Sequence, residues 1–100
     1  MRLTVVTGSF SADHHEPYGK FRHGHDWHVR AALDAKGHKN GPQARLDVLL
    51  STLDHGFLDA ILPDPSNEGV AEWIGEQLRA AWVYVWRYER GREFGAEWRA

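Results

Sequence analysis

The chain has 100 residues, which bounds it to one small domain with a limited core, and oligomerisation is a common remedy at that size. Twelve basic against fourteen acidic residues give a net charge of −2, and no Lys/Arg run is present, which argues against nucleic acid or an anionic membrane surface as a partner. There are no cysteines, so disulfides, thiolate metal ligands and cysteine nucleophiles are excluded together. No apolar stretch could span a bilayer and Met1–Thr7 lacks the shape of a signal peptide, so a cytoplasmic protein is expected.

In chain order, Leu3–Ala12 reads as a strand with Gly8 as a candidate bulge. Asp13–Arg22, with Pro17 and Gly19, reads as a loop. His23–Ala35 reads as a second strand, with Trp27, Val29, Ala31 and Leu33 on one alternating face. Lys36–Pro42 is a turn, Ala44–Leu50 fits either a strand end or a short helix, and Leu53–Leu62 suits a helical turn or two. The break at Pro63-Asp64-Pro65 precedes a helix capped by Ser66 or Asn67, with Glu68 in its first turn. Val70, Trp73, Ile74, Gln77, Leu78 and Ala81 form its apolar stripe. Val83–Arg90 and Glu93–Arg99 read as strands joined at Gly91. The order is two strands, helical segments, two strands, with no internal repeat or linker.

Seven histidines are many for this length, and His23-Gly24-His25 is the most informative group of them. In a strand, residues i and i+2 point to the same face, so His23 and His25 present two imidazoles side by side. One more histidine from a neighbouring strand would complete a three-nitrogen metal site with an open position, the catalytic arrangement for zinc. His14-His15 stands nine residues upstream. An isolated H-x-H is more often two surface histidines on a loop.

Other fragments add weight. Phe10-Ser11-Ala12-Asp13-His14 resembles the F-x-A-x-H of the 6-pyruvoyl-tetrahydropterin synthase family, and His23-Gly24-His25-Asp26-Trp27 resembles its H-G-H-N-Y. Leu53-Asp54-His55-Gly56-Phe57-Leu58-Asp59 is similar to its L-D-H-x-x-L-N, and the run from Pro65 to Ile74 to its P-T-x-E-N-x-A-x-W-I helix start. Arg87-Tyr88-Glu89 followed by Phe94-Gly95-Ala96 resembles its final hairpin. Each fragment alone is weak; together they follow the family's order over nearly the whole chain. The resemblance implies an α+β T-fold, ββααββ, whose antiparallel sheets join into a barrel in a homo-oligomer, commonly a hexamer. Open strand edges on a small domain agree with such assembly. A monomeric α+β domain with the same strand order is the alternative.

The family includes the 6-carboxy-tetrahydropterin synthases of deazaguanine (queuosine) biosynthesis. The resemblance implies zinc on His14, His23 and His25, with His15 as the alternative to His14, because one residue of slippage flips a strand side chain to the other face. Zinc there would act as a Lewis acid on the side-chain oxygens of a pterin and acidify the adjacent C–H. Asp54-His55 matches the family's acid–base pair, the carboxylate orienting the imidazole. Glu89 is the candidate pterin anchor, accepting the 2-amino and ring N–H donors in a fork, with Arg87 occupying that place in a slightly shifted alignment. Glu68 is a second matched acidic residue, although its helix-start position also explains it.

The chain departs from the family in three places. It lacks the cysteine that acts in proton transfer shortly before H-G-H. The loop from His14 to His23 and the segment between Asp47 and Asp54 are shortened, so the first helix is expected to be short. Some family members carry a glutamate in place of the cysteine and cleave the dihydroneopterin side chain; Glu16 is a candidate for that role or a plain surface residue. The expected substrate is a 7,8-dihydroneopterin derivative such as the triphosphate, going to a 6-carboxy- or 6-pyruvoyl-tetrahydropterin-type product. The alternatives are cleavage to 6-hydroxymethyl-dihydropterin, or a zinc- or pterin-binding protein without catalysis. Lys20, Arg22 and Lys39 offer positive charge for phosphate but are not clustered.

Overall fold

The computed structural model describes residues 2–15, 22–34 and 41–100, His23 by its backbone only. Its elements are β1 (Leu3–His15), β2 (Arg22–Asp34), α1 (Gly41–Leu53), a 3₁₀ turn (Leu58–Ala60), α2 (Asn67–Leu78), β3 (Trp82–Glu89) and β4 (Arg92–Arg99). The strands form one antiparallel sheet in the order β1-β2-β3-β4, so the fold is α+β with the expected ββ–helices–ββ order. Among the described residues no helix is long and apolar enough to cross a membrane.

One face of the sheet is covered by helices. Val6, Phe10 and Ala12 of β1, Trp27, Val29, Ala31 and Leu33 of β2, and Val83 and Val85 of β3 are buried there. Period-two alternation sends all of them to the same side. Leu46, Leu50 and Leu53 meet them from α1, and Val70, Ala71, Ile74 and Leu78 from α2. α1 lies on β1, while α2 lies across β3 and β4.

The first strand is longer than its composition indicates. Asp13-His14-His15 continues β1 instead of opening a loop, and β2 begins at Arg22. The extension is held from far along the chain: the Asp13 N–H donates to the Gly56 carbonyl at 3.0 Å, and the His15 N–H to Asp59 Oδ1 at 2.9 Å. Gly8 is not a bulge, because the β1–β2 register runs through Gly8↔Val29 without interruption. Its missing side chain makes room for α1: a Cβ there would lie 2.7 Å from Leu50 Cδ1.

Ala44–Leu50, open between strand and helix in the sequence, lies inside the 13-residue α1. The spacing of Leu46, Leu50 and Leu53 supplies one apolar stripe. In α2, Ser66 is the N-cap, its Oγ accepting the Gly69 N–H at 3.1 Å. Gln77 is exposed and drops out of the expected stripe, and the helix stops before Ala81 at Arg79 in the left-handed region. The last hairpin turns through Arg90 and Gly91, both with positive φ (51° and 75°), the geometry of a two-residue type I′ turn.

Candidate functional site

His14 sits at the far end of β1 on the helix-covered face and is 3% exposed. Its backbone partner in β2 is His23, and His25 pairs with Ala12. The His14 and His25 rings lie 4.9 Å apart at 66°, and Trp27 packs edge-on against both. His15 points the other way, is exposed, and meets Phe57. The structure therefore brings His14, rather than His15, to His25. The side chain of His23 lies outside the described residues, as does Glu16. Among the described residues no three His, Cys, Asp or Glu side chains converge as a metal-holding group.

The hydrogen bonds of His14 fix its proton. Nδ1 is 3.0 Å from the Pro65 carbonyl, which can only accept, so Nδ1 carries the hydrogen. Nε2 is 3.1 Å from Arg87 Nη1, which can only donate, so Nε2 presents its lone pair. A neutral imidazole with one nitrogen donating to a backbone carbonyl and the other acting as an acceptor, here of the Arg87 N–H, has the tautomer a metal ligand requires.

Arg87 is 7% exposed. Its Nε donates to Asn67 Oδ1 at 3.1 Å, and its guanidinium lies over the Trp27 ring at 4.4 Å and the Phe94 ring at 5.0 Å. Phe94 is its direct register partner on β4. A cavity of ≈ 530 Å³ opens beside this group; Arg87, Glu89 and Phe94 line it together with both His14 and His15 and with Asp59 and Asp64. Glu89 follows Arg87 by two residues on the same face and is exposed. Glu68 is exposed in the first turn of α2 and does not line this cavity.

Asp54 and His55 close α1 on another side. The Asp54 carboxylate accepts the Ser11 N–H on Oδ1 at 2.9 Å, and its Oδ2 lies 2.9 Å from His55 Nδ1. His55 takes the left-handed conformation (φ 60°), its own N–H donating to the Ser11 carbonyl at 2.6 Å, and its side chain is 85% exposed. The Ser11 N–H holds the Asp54 carboxyl below its ordinary value; desolvation works against the shift and the His55 hydrogen bond adds to it. His55 lines a second cavity of ≈ 410 Å³ with Ser11, Asp13, His25 and Asp26. Ser11 Oγ and Asp26 Oδ1 are 2.6 Å apart there.

The two histidines thus stand between the cavities, His14 lining the first and His25 the second. Glu89 belongs to the first and His55 to the second, so a single chain does not bring the expected substrate anchor and acid–base pair into one cavity. His28 lies on the opposite face of β2, stacked on Trp86 at 5.3 Å. The sequence pointed to Asn67 only as a helix cap and to Arg87 only as a shifted counterpart of Glu89, not to their contact with each other and with His14. The alternation Val83-Val85-Arg87 is the signal that could have found the arginine, because it continues the buried face of β3. Compared with models of known protein families and with curated proteins, the chain matches none.

Proposed function

We propose that the chain is a zinc-dependent enzyme acting on the side chain of a 7,8-dihydroneopterin derivative, in the manner of the 6-carboxy-tetrahydropterin synthases it resembles. The observation that carries this reading is the His14–His25 pair, 4.9 Å apart between two cavities, with the lone pair of His14 Nε2 fixed by the Pro65 carbonyl behind it. The donor set suits a borderline-soft divalent ion, and His14, His23 and His25 would hold it. When bound, it supplies Lewis-acid polarisation of the substrate's side-chain oxygens.

The chain's own groups do the rest. Glu89, in the lining of the first cavity, accepts the two adjacent N–H donors of the pterin ring and fixes its orientation. His55, aimed by Asp54, collects and returns a proton at the substrate side chain. In an assembled T-fold barrel the exposed His55 of one subunit faces the cavity of another, which joins the two halves of the machinery at a seam. Glu16 is proposed for the place of the absent cysteine.

A binding protein without catalysis is the second reading. It is favoured by the separation of His55 from Glu89 within one subunit and by Arg87 donating to His14. Incubation of the zinc-loaded protein with dihydroneopterin triphosphate, followed by mass spectrometry of the pterin, separates the readings. Loss of triphosphate with a carboxy- or pyruvoyl-type product supports the synthase reading. A hydroxymethyl product supports side-chain cleavage. Retained binding without turnover leaves the binding protein.

A further inference from the structure

We propose that Arg87 is a built-in competitor of the metal: its guanidinium occupies the His14 Nε2 lone pair in the metal-free protein, and metal loading turns Arg87 out into the adjoining cavity. The inference rests on His14 being a metal ligand, as read above.

Two observations carry it. His14 Nδ1 is committed to the Pro65 carbonyl, so Nε2 is the only nitrogen this residue can offer a metal. Arg87 Nη1 lies 3.1 Å from that nitrogen, and one lone pair cannot serve a guanidinium N–H and a cation together. The seat of Arg87 is a built one: Asn67 Oδ1 takes its Nε–H, and Trp27 and Phe94 stack against it. Asn67 is itself 3% exposed and donates its amide to the Phe94 carbonyl at 3.4 Å, so the acceptor is held in place. The displaced position also has partners. The cavity beside Arg87 is lined by three carboxylates, Asp59, Asp64 and Glu89, which receive a guanidinium turning away from His14. Two seats, one stacked and hydrogen-bonded to Asn67 and His14 and the other acidic, make Arg87 a two-position side chain whose balance the metal sets.

Zinc affinity is measured by competition with a chromophoric chelator for the wild type, Arg87→Met, His14→Ala and the double variant. Arg87→Met keeps a long apolar side chain against Trp27 and Phe94 and removes the donor. It should bind zinc about ten- to a hundredfold more tightly, the size of one hydrogen bond to a charged group. In the His14→Ala background the same substitution should give no gain, because the competition runs through His14. Equal or weaker binding by a folded Arg87→Met overturns the proposal. A gain that persists without His14 also overturns it, since it marks general charge repulsion. If His14→Ala leaves wild-type affinity unchanged, the metal reading itself fails. Should Arg87→Met not fold, ¹⁵N spectra of wild-type arginine side chains replace it: zinc addition should shift the Arg87 Nε–H resonance, and an unmoved resonance at full zinc occupancy overturns the proposal.

Discussion

His55 is held by its neighbours in a conformation a non-glycine residue rarely adopts, and its imidazole is aimed by a carboxylate that is itself tied to the Ser11 backbone. That arrangement suits a positioned proton carrier. His55→Ala is therefore expected to lower turnover by about 10²–10⁴-fold, the usual contribution of such a group, with zinc content unaltered. Steady-state rates and metal analysis on the same preparation check both halves. Asp54 carries a separate pH signature. Its folded value lies below the ordinary 3.8, so its contribution to stability is fully present above 3.8 and is lost as the pH falls through the lowered native value. The stability gap between wild type and Asp54→Asn, from urea unfolding, should be constant near neutrality and shrink in acid. A gap that widens in acid contradicts the Ser11–Asp54 tie. Period-two alternation puts His23 and His25 on one face of the second strand, but only the family resemblance joins His14 to them, because Asp13-His14-His15 reads as loop and leaves His15 as the alternative. The setting of Arg87 was not legible in the chain, because its partners Asn67, Phe94 and His14 lie on three other segments and no local pattern joins them.

At the level of elements, α2 was the plainest because every local signal agrees: a proline-rich break, a Ser66 cap and an apolar stripe. α1 was obscured because its flanking turn signals run into its first residues, Gly41 and Pro42, and because it reads as short beside the family pattern. The extension of β1 was hidden for a different reason. Asp13-His14-His15 is loop-like in composition, and the groups that hold it as strand, Gly56 and Asp59, come more than 40 residues later. The seating of α2 on the sheet also depends on one missing side chain. A Cβ on Gly75 would lie 2.2 Å from the Trp98 ring, which packs against the core from β4. Replacing a helix-interior glycine by alanine normally stabilises by roughly 0.5–1 kcal/mol. Here the clash with a ring wedged under the helix opposes that gain and should win, because overpacking costs about 1–3 kcal/mol. Gly75→Ala is expected to lower the thermal midpoint and alter tryptophan fluorescence, while Ser66→Ala should cost about 1 kcal/mol without the fluorescence change.

In the subunit as a whole, the proposed assembly has two surfaces to act on. Among the described residues β1 and β4 are the edge strands of the sheet, and the face away from the helices carries a stacked band of His28, Trp86 and Tyr84, with Arg30 over the Trp86 ring. Tyr88 is 56% exposed at the end of that band. Joining copies edge to edge pairs the free backbone groups and encloses the aromatic band. Sedimentation at micromolar concentration should accordingly give a homo-oligomer, a hexamer under the proposed T-fold. Assembly also addresses the division between the two cavities, one with Glu89 and the other with His55. If an active site draws Glu89 from one subunit and His55 from another, two inactive proteins can repair each other. His55→Ala and Glu89→Gln homo-oligomers should each be nearly inactive. Mixed at equal amounts, dissociated and reassembled, they should regain activity, with about one site in four holding both native groups by statistical mixing around a symmetric ring. The recovered rate should vanish when reassembly is blocked by mixing intact oligomers briefly on ice. A mixture that stays inactive after verified subunit exchange would mean that His55 and Glu89 serve the same subunit's site or no common site at all, and the seam would lose its catalytic role.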